Sequence, residues 1–412
     1  MSNNLLTISK ITNEALMVLE NELTFTNEVT REYDDQFAVT GAKIGNTLNV
    51  RRPGRFIGTT GPALNVEDFN ETSVPVTLST QFHVDTQFTT QDLALSLDAF
   101  SDRILKPAVA AIANKIDFDG LTMAKNNTAN IVGTAGVPPT GLITYLTAGA
   151  YLDSEGAPRD GRRSCIIEPF TSATIVDSLK GLFVPAEAIG TQFRKGMMGR
   201  DSAGANWYMD QNVVTQTFGS YSGKTLSADT TSASFGIATG WAQTSTITLT
   251  ASSALTLNQG DVIQFANVYG VNPQSRQSYG KLRNFVVTAT TTVATGGGTS
   301  VTVSPAIITG GQFQNVTVTS TAASAVVTPF NNTGVSSPQN LVFHKNFATL
   351  ATADLELPDG VHFAGRASDK DLGLSIRVVR QYTINNDSIP TRLDVLYGWA
   401  PLYPELACRI AG

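Results

Sequence analysis

The sequence predicts an α+β protein of several parts with an all-β domain inserted into a mixed body, and three observations carry that prediction. The 412 residues exceed what one hydrophobic core usually organises. Helical periodicity is confined to a few segments. A long central interval loses nearly all charge while its apolar residues alternate with period two.

Composition narrows the classes. An apolar content of 42% suits a globular chain, and the mean hydropathy is near zero. No apolar run approaches the ~18 residues of a membrane span. The start, Met1-Ser2-Asn3-Asn4-Leu5, lacks the basic and apolar regions of a secretory signal. The expectation is therefore no membrane and no Sec export. Cys165 and Cys408 are too few for a disulfide framework and too far apart in sequence for a zinc motif, and a reducing cytoplasm suits them. A net charge of -6 argues against a protein whose main task is gripping phosphates, which needs clustered Lys and Arg.

The elements follow in order. Residues 7–23 place Ile8, Ile11, Ala15, Val18 and Leu19 at helical spacing behind Thr7, an N-cap residue type. Acidic residues, among them Glu14 and Glu20, gather in the first forty positions and form either a solvated face or a docking surface for a basic protein. Residues 43–80 read as a two-stranded arm. Thr47-Leu48-Asn49-Val50 and Val74-Pro75-Val76-Thr77-Leu78 flank a stretch broken by Pro53, Gly54, Gly58, Gly61 and Pro62. One leg carries Lys43, Arg51, Arg52 and Arg55, the other Glu67, Asp68 and Glu71. Two strands bury no core of their own, so the arm must lie on its own body or on a neighbouring subunit.

Residues 97–125 form the longest helical pattern. Ile104, Leu105, Ala108, Val109, Ala111, Ile112 and Ile116 make one stripe, Pro107 marks an early turn or kink, and Gly120 and Asn126-Asn127 offer stops. A helix near Leu142–Asp153, a turn at Pro158–Gly161, a strand at Ser164–Ile167 and a helix near Thr171–Leu179 follow. From Gly223 to Ser337 the only charges are Lys224, Asp229, Asp261, Arg276, Lys281 and Arg283. Runs such as Thr246-Ile247-Thr248-Leu249-Thr250 and Ser300-Val301-Thr302-Val303, punctuated at Asn258–Asp261 and Gly296–Gly298, predict antiparallel strands in a sandwich or barrel. Low-complexity disorder competes with that reading, but Val262-Ile263-Gln264-Phe265 and Phe285-Val286-Val287 supply apolar bulk that disordered chains lack. Ser375–Tyr382 and Arg392–Tyr397, around Asn385-Asn386-Asp387, predict a long hairpin.

Motifs that suggest chemistry fail on spacing or context. Gly219–Thr225 has three residues between its glycines where a phosphate loop has four, and it precedes strand-like sequence rather than a helix. His83, His344 and His362 are scattered. Asp117-Phe118-Asp119-Gly120 opens like a calcium loop, but Thr128 stands where a bidentate Glu is needed, and helix-end carboxylates account for it better. The expectation is no catalytic residue, no metal and no cofactor. Arg159, Arg162 and Arg163 form a basic cluster that is either a solvated turn or an inter-subunit contact.

Several runs resemble the phage P22-type coat protein family. They are Leu5-Leu6-Thr7-Ile8-Ser9-Lys10-Ile11-Thr12, Tyr33–Phe37 with Gly41–Gly45, Phe100–Arg103 through Lys106-Pro107-Ala108 to Asn114–Asp117, and Ala157–Arg163. Met209–Val213, Asp394–Trp399 and Arg409-Ile410 continue the likeness, which spans the chain outside the insert. The resemblance implies an HK97-like capsid fold with an N-terminal arm at 1–40 and an E-loop at 43–80. It further implies a peripheral domain at 81–135 and 361–412 carrying a spine helix, and an axial domain at 136–222 and 338–360. The charge-poor interval 223–337 becomes the β-rich insertion domain.

The function so implied is that of a major capsid protein, not an enzyme. It assembles with itself as pentamers and hexamers in the host bacterial cytoplasm, with a separate scaffolding protein and a portal, and encloses double-stranded DNA in the virion without reading its sequence. Arg51, Arg52, Arg55, Glu67, Asp68 and Glu71 are the expected inter-subunit contacts, Glu14 and Glu20 the scaffold contact, and Arg276, Lys281 and Arg283 the contacts of the insert. The alternative is a phage tail or host-surface adhesin built on the β insert.

Overall fold

The computed structural model describes residues 15–17, 19, 23–34, 47–67, 71–89, 105–179, 203–219, 221–231, 235–331, 334–369 and 374–412. Contacts gather the chain into two units. One comprises Met1–Val50, Val74–Gly120 and Ala348–Ala400; the other comprises Arg51–Ser73, Leu121–Phe347 and Pro401–Gly412.

The first unit is a sheet covered by helix. Its strands run Thr30–Asp34, Ala348–Ala353, Ser388–Pro401, Leu374–Arg380 and Phe363–Asp369, and Thr80–Thr89 also pairs with Ser388–Pro401. The C-terminal alternation forms the hairpin it predicts, with Arg377 opposite Asp394 and Arg380 opposite Thr391. The helix Lys106–Asn127 begins with Pro107 in its first turn, where the missing N–H costs nothing. Leu105, Val109, Ile112, Ala113 and Ile116 share a core with Leu350, Ile376, Val378, Leu393, Val395 and Tyr397. Each of the Val, Leu and Ile side chains contributes about 1.5–3 kcal/mol of burial. Ala111, expected on this stripe, faces solvent, and Ala113 is buried in its stead. Of the predicted helix at 7–23, Ala15, Leu16, Met17 and Leu19 are helical, and Ala15, Leu16 and Leu19 join the same core.

Two local expectations change. The helix runs straight through Gly120 to Asn127. A Cβ at Gly120 would stand 2.7 Å from Trp399 and 2.8 Å from Phe25, so the glycine serves ring packing and not termination. Asp117 is not at a helix end. Its carboxylate accepts the N–H groups of Thr24 at 2.7 Å, Phe25 at 3.3 Å and Thr26 at 3.0 Å, fastening that segment to the helix.

The second unit contains a mixed sheet and a strand ring. The sheet runs Ile131–Gly133, Ala407–Ala411, Ser336–His344, Arg163–Ile167 and Asn206–Met209, with Thr215–Thr217 beside Ser336–Pro338. Helices Leu142–Ser154 and Pro169–Leu179 share one core with it, through Tyr145, Ala148, Leu152 and Ile175 against Cys165, Ile167, Val342, Cys408 and Ile410. Cys165 and Cys408 flank Val342 on either side of the same strand.

Residues 226–329 close on themselves. Ser278–Val287, Thr299–Ser304, Ser245–Ala251, Leu226–Ala228, Ala325–Pro329 and Val262–Val271 pair in that order, and the last pairs back to the first. Of the two alternatives left open by the sequence, the barrel is the one formed. Alternation does the sorting: Ile247, Leu249, Val301 and Val303 point inward, and Thr246 and Ser300 outward. Phe265 packs edge-on against Phe235 at 5.2 Å and Phe285 at 5.3 Å. Closure leaves few unpaired strand edges. The phosphate-loop-like Gly219–Thr225 leads into the strand Leu226–Ala228 and not into a helix.

Candidate subunit-contact surface

The basic and acidic legs of the arm meet within the chain. Thr47–Arg52 and Thr72–Thr77 form a two-stranded sheet, and Arg51 lies 3.6 Å from Glu71 across it. Both side chains are well exposed, so the pair is worth about 0–1 kcal/mol and is open to competition from another partner. Glu67 turns the loop between the strands. Its carboxylate accepts the N–H groups of Ile57 at 2.8 Å and Gly58 at 2.6 Å. Asp68 lies outside the described residues, as do Glu14 and Glu20.

Arg52 and Arg55 have a different fate. Each places a guanidinium nitrogen 3.2 Å from Glu405. Arg52 is buried, its guanidinium 4.1 Å from the centre of the Tyr403 ring and 5.5 Å from that of Trp241. A partly desolvated cation between two aromatic faces is held by about 1–2 kcal/mol beyond its ion pair. Phe56, Ile57, Leu64 and Val66, further along the loop, are exposed apolar residues.

Two of the three basic residues expected to make the insert's contacts are engaged within the chain. Arg276 donates to the carbonyls of Gly311, Gln312 and Phe56, the last two at 3.0 and 3.5 Å. Arg283 is buried to 2% exposure and forms an ion pair with Glu155, which also accepts the Tyr279 hydroxyl at 3.1 Å. Burial pushes the Glu155 carboxyl above the usual carboxylate range, against the pull of Arg283. Burial likewise pushes the Tyr279 phenol up to about 12. Lys281 is exposed.

Arg52, Arg55, Glu155, Trp241, Arg283 and Tyr403 line one cleft of about 160 Å³. Its chemistry is that of an electrostatic clasp: two guanidinium groups share one carboxylate, and a second ion pair is sealed beside them. The clasp fixes the root of the loop to the strand ring and to the turn at Pro404–Leu406. The basic cluster resolves in a similar way. Arg163 is buried against Asp153 at 2.8 Å and the Ala157 carbonyl at 2.7 Å, Arg159 pairs with the same Asp153, and Arg162 lies 3.9 Å from Asp160. Among the described residues no group of three or more His, Cys, Asp or Glu side chains could hold a metal ion.

Sequence reasoning missed Glu155, Glu405, Tyr403 and Trp241. No local motif marks them, and each acts on a residue far away in the chain. Glu155 and Arg283, for example, are 128 residues apart.

A family model described as "P22 coat protein - gene protein 5" matches residues 1–412. No curated protein matches the chain. Among solved structures, the chain is similar to one from Mycobacterium phage Che8 at 12% identity, covering 94% of this chain and 90% of that one with a TM-score of 0.46. The capsid of the cyanophage P-SCSP1u matches at 12% identity, 94% and 88% coverage and a TM-score of 0.46. The capsid of Ralstonia phage GP4 matches at 6% identity, 94% and 88% coverage and a TM-score of 0.48.

Proposed function

The chain belongs to the P22 coat protein family and is a major capsid protein of the phage virion, and from that premise we propose how it builds a shell. One observation carries the reading: the family match runs over residues 1–412 and leaves no part of the chain outside it. An adhesin built on the β-rich part alone is not favoured by a match of that extent.

The proposed architecture is HK97-like. Residues 1–40 are the N-terminal arm, 43–80 the E-loop, 81–135 with 361–412 the peripheral domain, and 136–222 with 338–360 the axial domain. Residues 223–337 are the insertion domain, whose role is to stabilise. Pentamers and hexamers of this one chain close an icosahedral shell around double-stranded DNA, which is enclosed without being read. A scaffolding protein with a basic docking surface meets the acidic N-terminal arm at Glu14 and Glu20, a portal occupies one vertex, and assembly takes place in the host cytoplasm. No step is catalytic.

Contacts of the E-loop divide by exposure. Arg51 and Glu71 are the charges proposed to meet a neighbour, together with Glu67 and Asp68, while Arg52 and Arg55 work through the clasp by holding the loop root. In the insert, Lys281 is the exposed charge, and Arg276 and Arg283 act from within. Each contact is individually weak, about -4 kcal/mol, so that misplaced copies leave before many contacts lock them in. Negative-stain imaging of the purified chain, with scaffolding protein where needed, tests the reading. Closed shells of uniform size are expected, and trimers or fibres would refute it.

A further inference from the structure

We infer that the cleft of the clasp is a binding site for one small tetrahedral oxyanion of the phosphate class, held by Arg52, Arg55 and Arg283. Charge in the cleft does not balance. The described residues that line it carry three guanidinium groups, those of Arg52, Arg55 and Arg283, against two carboxylates, those of Glu155 and Glu405. The donors are also far from saturated. A guanidinium offers five N–H groups, yet Arg52 and Arg55 each make one hydrogen bond among the described residues, both at 3.2 Å and both to the same oxygen, Oε1 of Glu405. Arg52 does so at 10% side-chain exposure, where water reaches little of it. Arg283 is more deeply buried still. Its Nη1 contacts Glu155 and the Tyr279 hydroxyl, while its Nε has no acceptor among the described residues.

The class of ligand follows from these three groups. A buried cationic donor without an acceptor is costly. Water supplies an acceptor but no charge, and an anion supplies both. Planar guanidinium forks match the paired oxygens of a phosphate or sulfate, which a single halide does not offer. Space is sufficient: the cleft holds about 160 Å³, roughly tenfold the 10–15 Å³ that one water needs. Pro53, Pro273, Pro305, Ile308 and Phe313 also line it, and apolar walls strengthen charge pairing by lowering the local dielectric. A small free anion suits the site better than a nucleic acid, because a chain of net charge -6 repels a polyanion over its whole surface. Once bound, the anion bridges Arg52 and Arg55, at the root of the loop, to Arg283 in the strand Ser278–Val287. The site goes beyond the capsid reading and does not depend on it.

Inorganic phosphate, titrated calorimetrically into the purified, unassembled chain at constant ionic strength in sodium chloride, tests the site. Saturable binding of one phosphate per chain is expected, with a Kd of about 1 mM or tighter, and sulfate should displace it. Arg55→Gln removes the most exposed of the three guanidinium groups and should weaken binding about tenfold or more, the loss of a charged hydrogen bond. Arg159→Gln, at an exposed arginine outside the cleft, should bind as wild type does. A second readout needs no variant: saturating phosphate should slow the modification of Arg55 by phenylglyoxal, mapped by mass spectrometry, and leave that of Arg159 unchanged. Absence of saturable binding, equal affinity in Arg55→Gln, or an Arg55 modification rate indifferent to phosphate would each overturn the inference. Displacement of phosphate by a duplex oligonucleotide at equal phosphate concentration would also overturn it, by marking the cleft as part of a nucleic-acid surface. None of these readouts requires a shell, so failure here leaves the capsid reading untouched.

Discussion

Removing one member of the Arg283–Glu155 pair should destabilise the chain far more than removing both. The two side chains are 3% exposed. At an effective dielectric of about 20, unit charges about 3 Å apart attract by roughly 5 kcal/mol, and that attraction offsets the cost of taking both out of water. Arg283→Met leaves the Glu155 carboxylate buried with only the Tyr279 hydroxyl for company, and the expected loss is about 3–5 kcal/mol. The pair is not perfectly satisfied, since the Arg283 Nε has no hydrogen-bond acceptor among the described residues. Replacing both charges by Arg283→Met with Glu155→Leu should therefore recover most of the loss and come within about 1–2 kcal/mol of wild type. Urea unfolding of the purified, unassembled chain, followed by circular dichroism, gives the midpoints, with m-values checked for constancy across the variants. A double variant as unstable as the sum of the two single variants would refute the reasoning, because it would mean the two charges do not act on each other.

Three further expectations are simpler. Gly120→Ala adds a helix-favouring residue worth about 1 kcal/mol but drives a methyl into Trp399 and Phe25, and overpacking of about 1–3 kcal/mol should win; a raised melting temperature would contradict the close packing seen here. Asp153 has its carboxyl held below the usual range by hydrogen bonds from Arg159 and Arg163, so its stabilisation is complete above its unfolded value and fades as pH falls through the lowered one. Acid titration of stability in Asp153→Asn should show a shallower acid limb than wild type, and an identical limb would count against the pairing. Cys165 and Cys408 lie two strands apart across Val342, about 9–10 Å, beyond the ~7 Å reach of a disulfide. Mass spectrometry of the native chain after iodoacetamide treatment should find neither thiol modified, and both modified once the chain is unfolded.

Much of the fold was legible because its causes are local. The run Thr246–Thr250 alternates, and a strand is the conformation that sends alternate residues to opposite sides, so Ile247 and Leu249 enter the ring and Thr246 does not. Helix Leu142–Ser154 and strand Arg163–Ile167 differ by a residue or so from their predicted bounds. What was not legible was the partner of each charge. Gly120 looks like a stop until Phe25 and Trp399 are brought beside it by the sheet. Glu405 stands in a one-turn 3-10 helix, Pro404–Leu406, without any pattern around it, and it gains meaning because strand pairing carries it to Arg52 and Arg55.

The same distinction explains why charge density misleads in the strand ring. In a segment with so few charges, each one reads as a surface contact, since an isolated Lys or Arg in a Thr-rich stretch has no local reason to be buried. Closing the ring changes the balance. Strand Ser278–Val287 runs from an exposed end into the core, and its burial deepens from Lys281 to Val287. Arg283 falls at the transition, too deep for water to solvate it, and it must find a carboxylate from another part of the chain. Arg276, in a turn at φ 57°, is less buried and satisfies itself on carbonyls at Phe56, Gly311 and Gln312. Its hydrogen bond to Phe56 reaches into the loop 53–71, so the ring is tied directly to the loop proposed to touch a neighbour. Arg276 and Arg283 are thus places where the chain fastens to itself, while Lys281 on the same strand as Arg283 stays exposed.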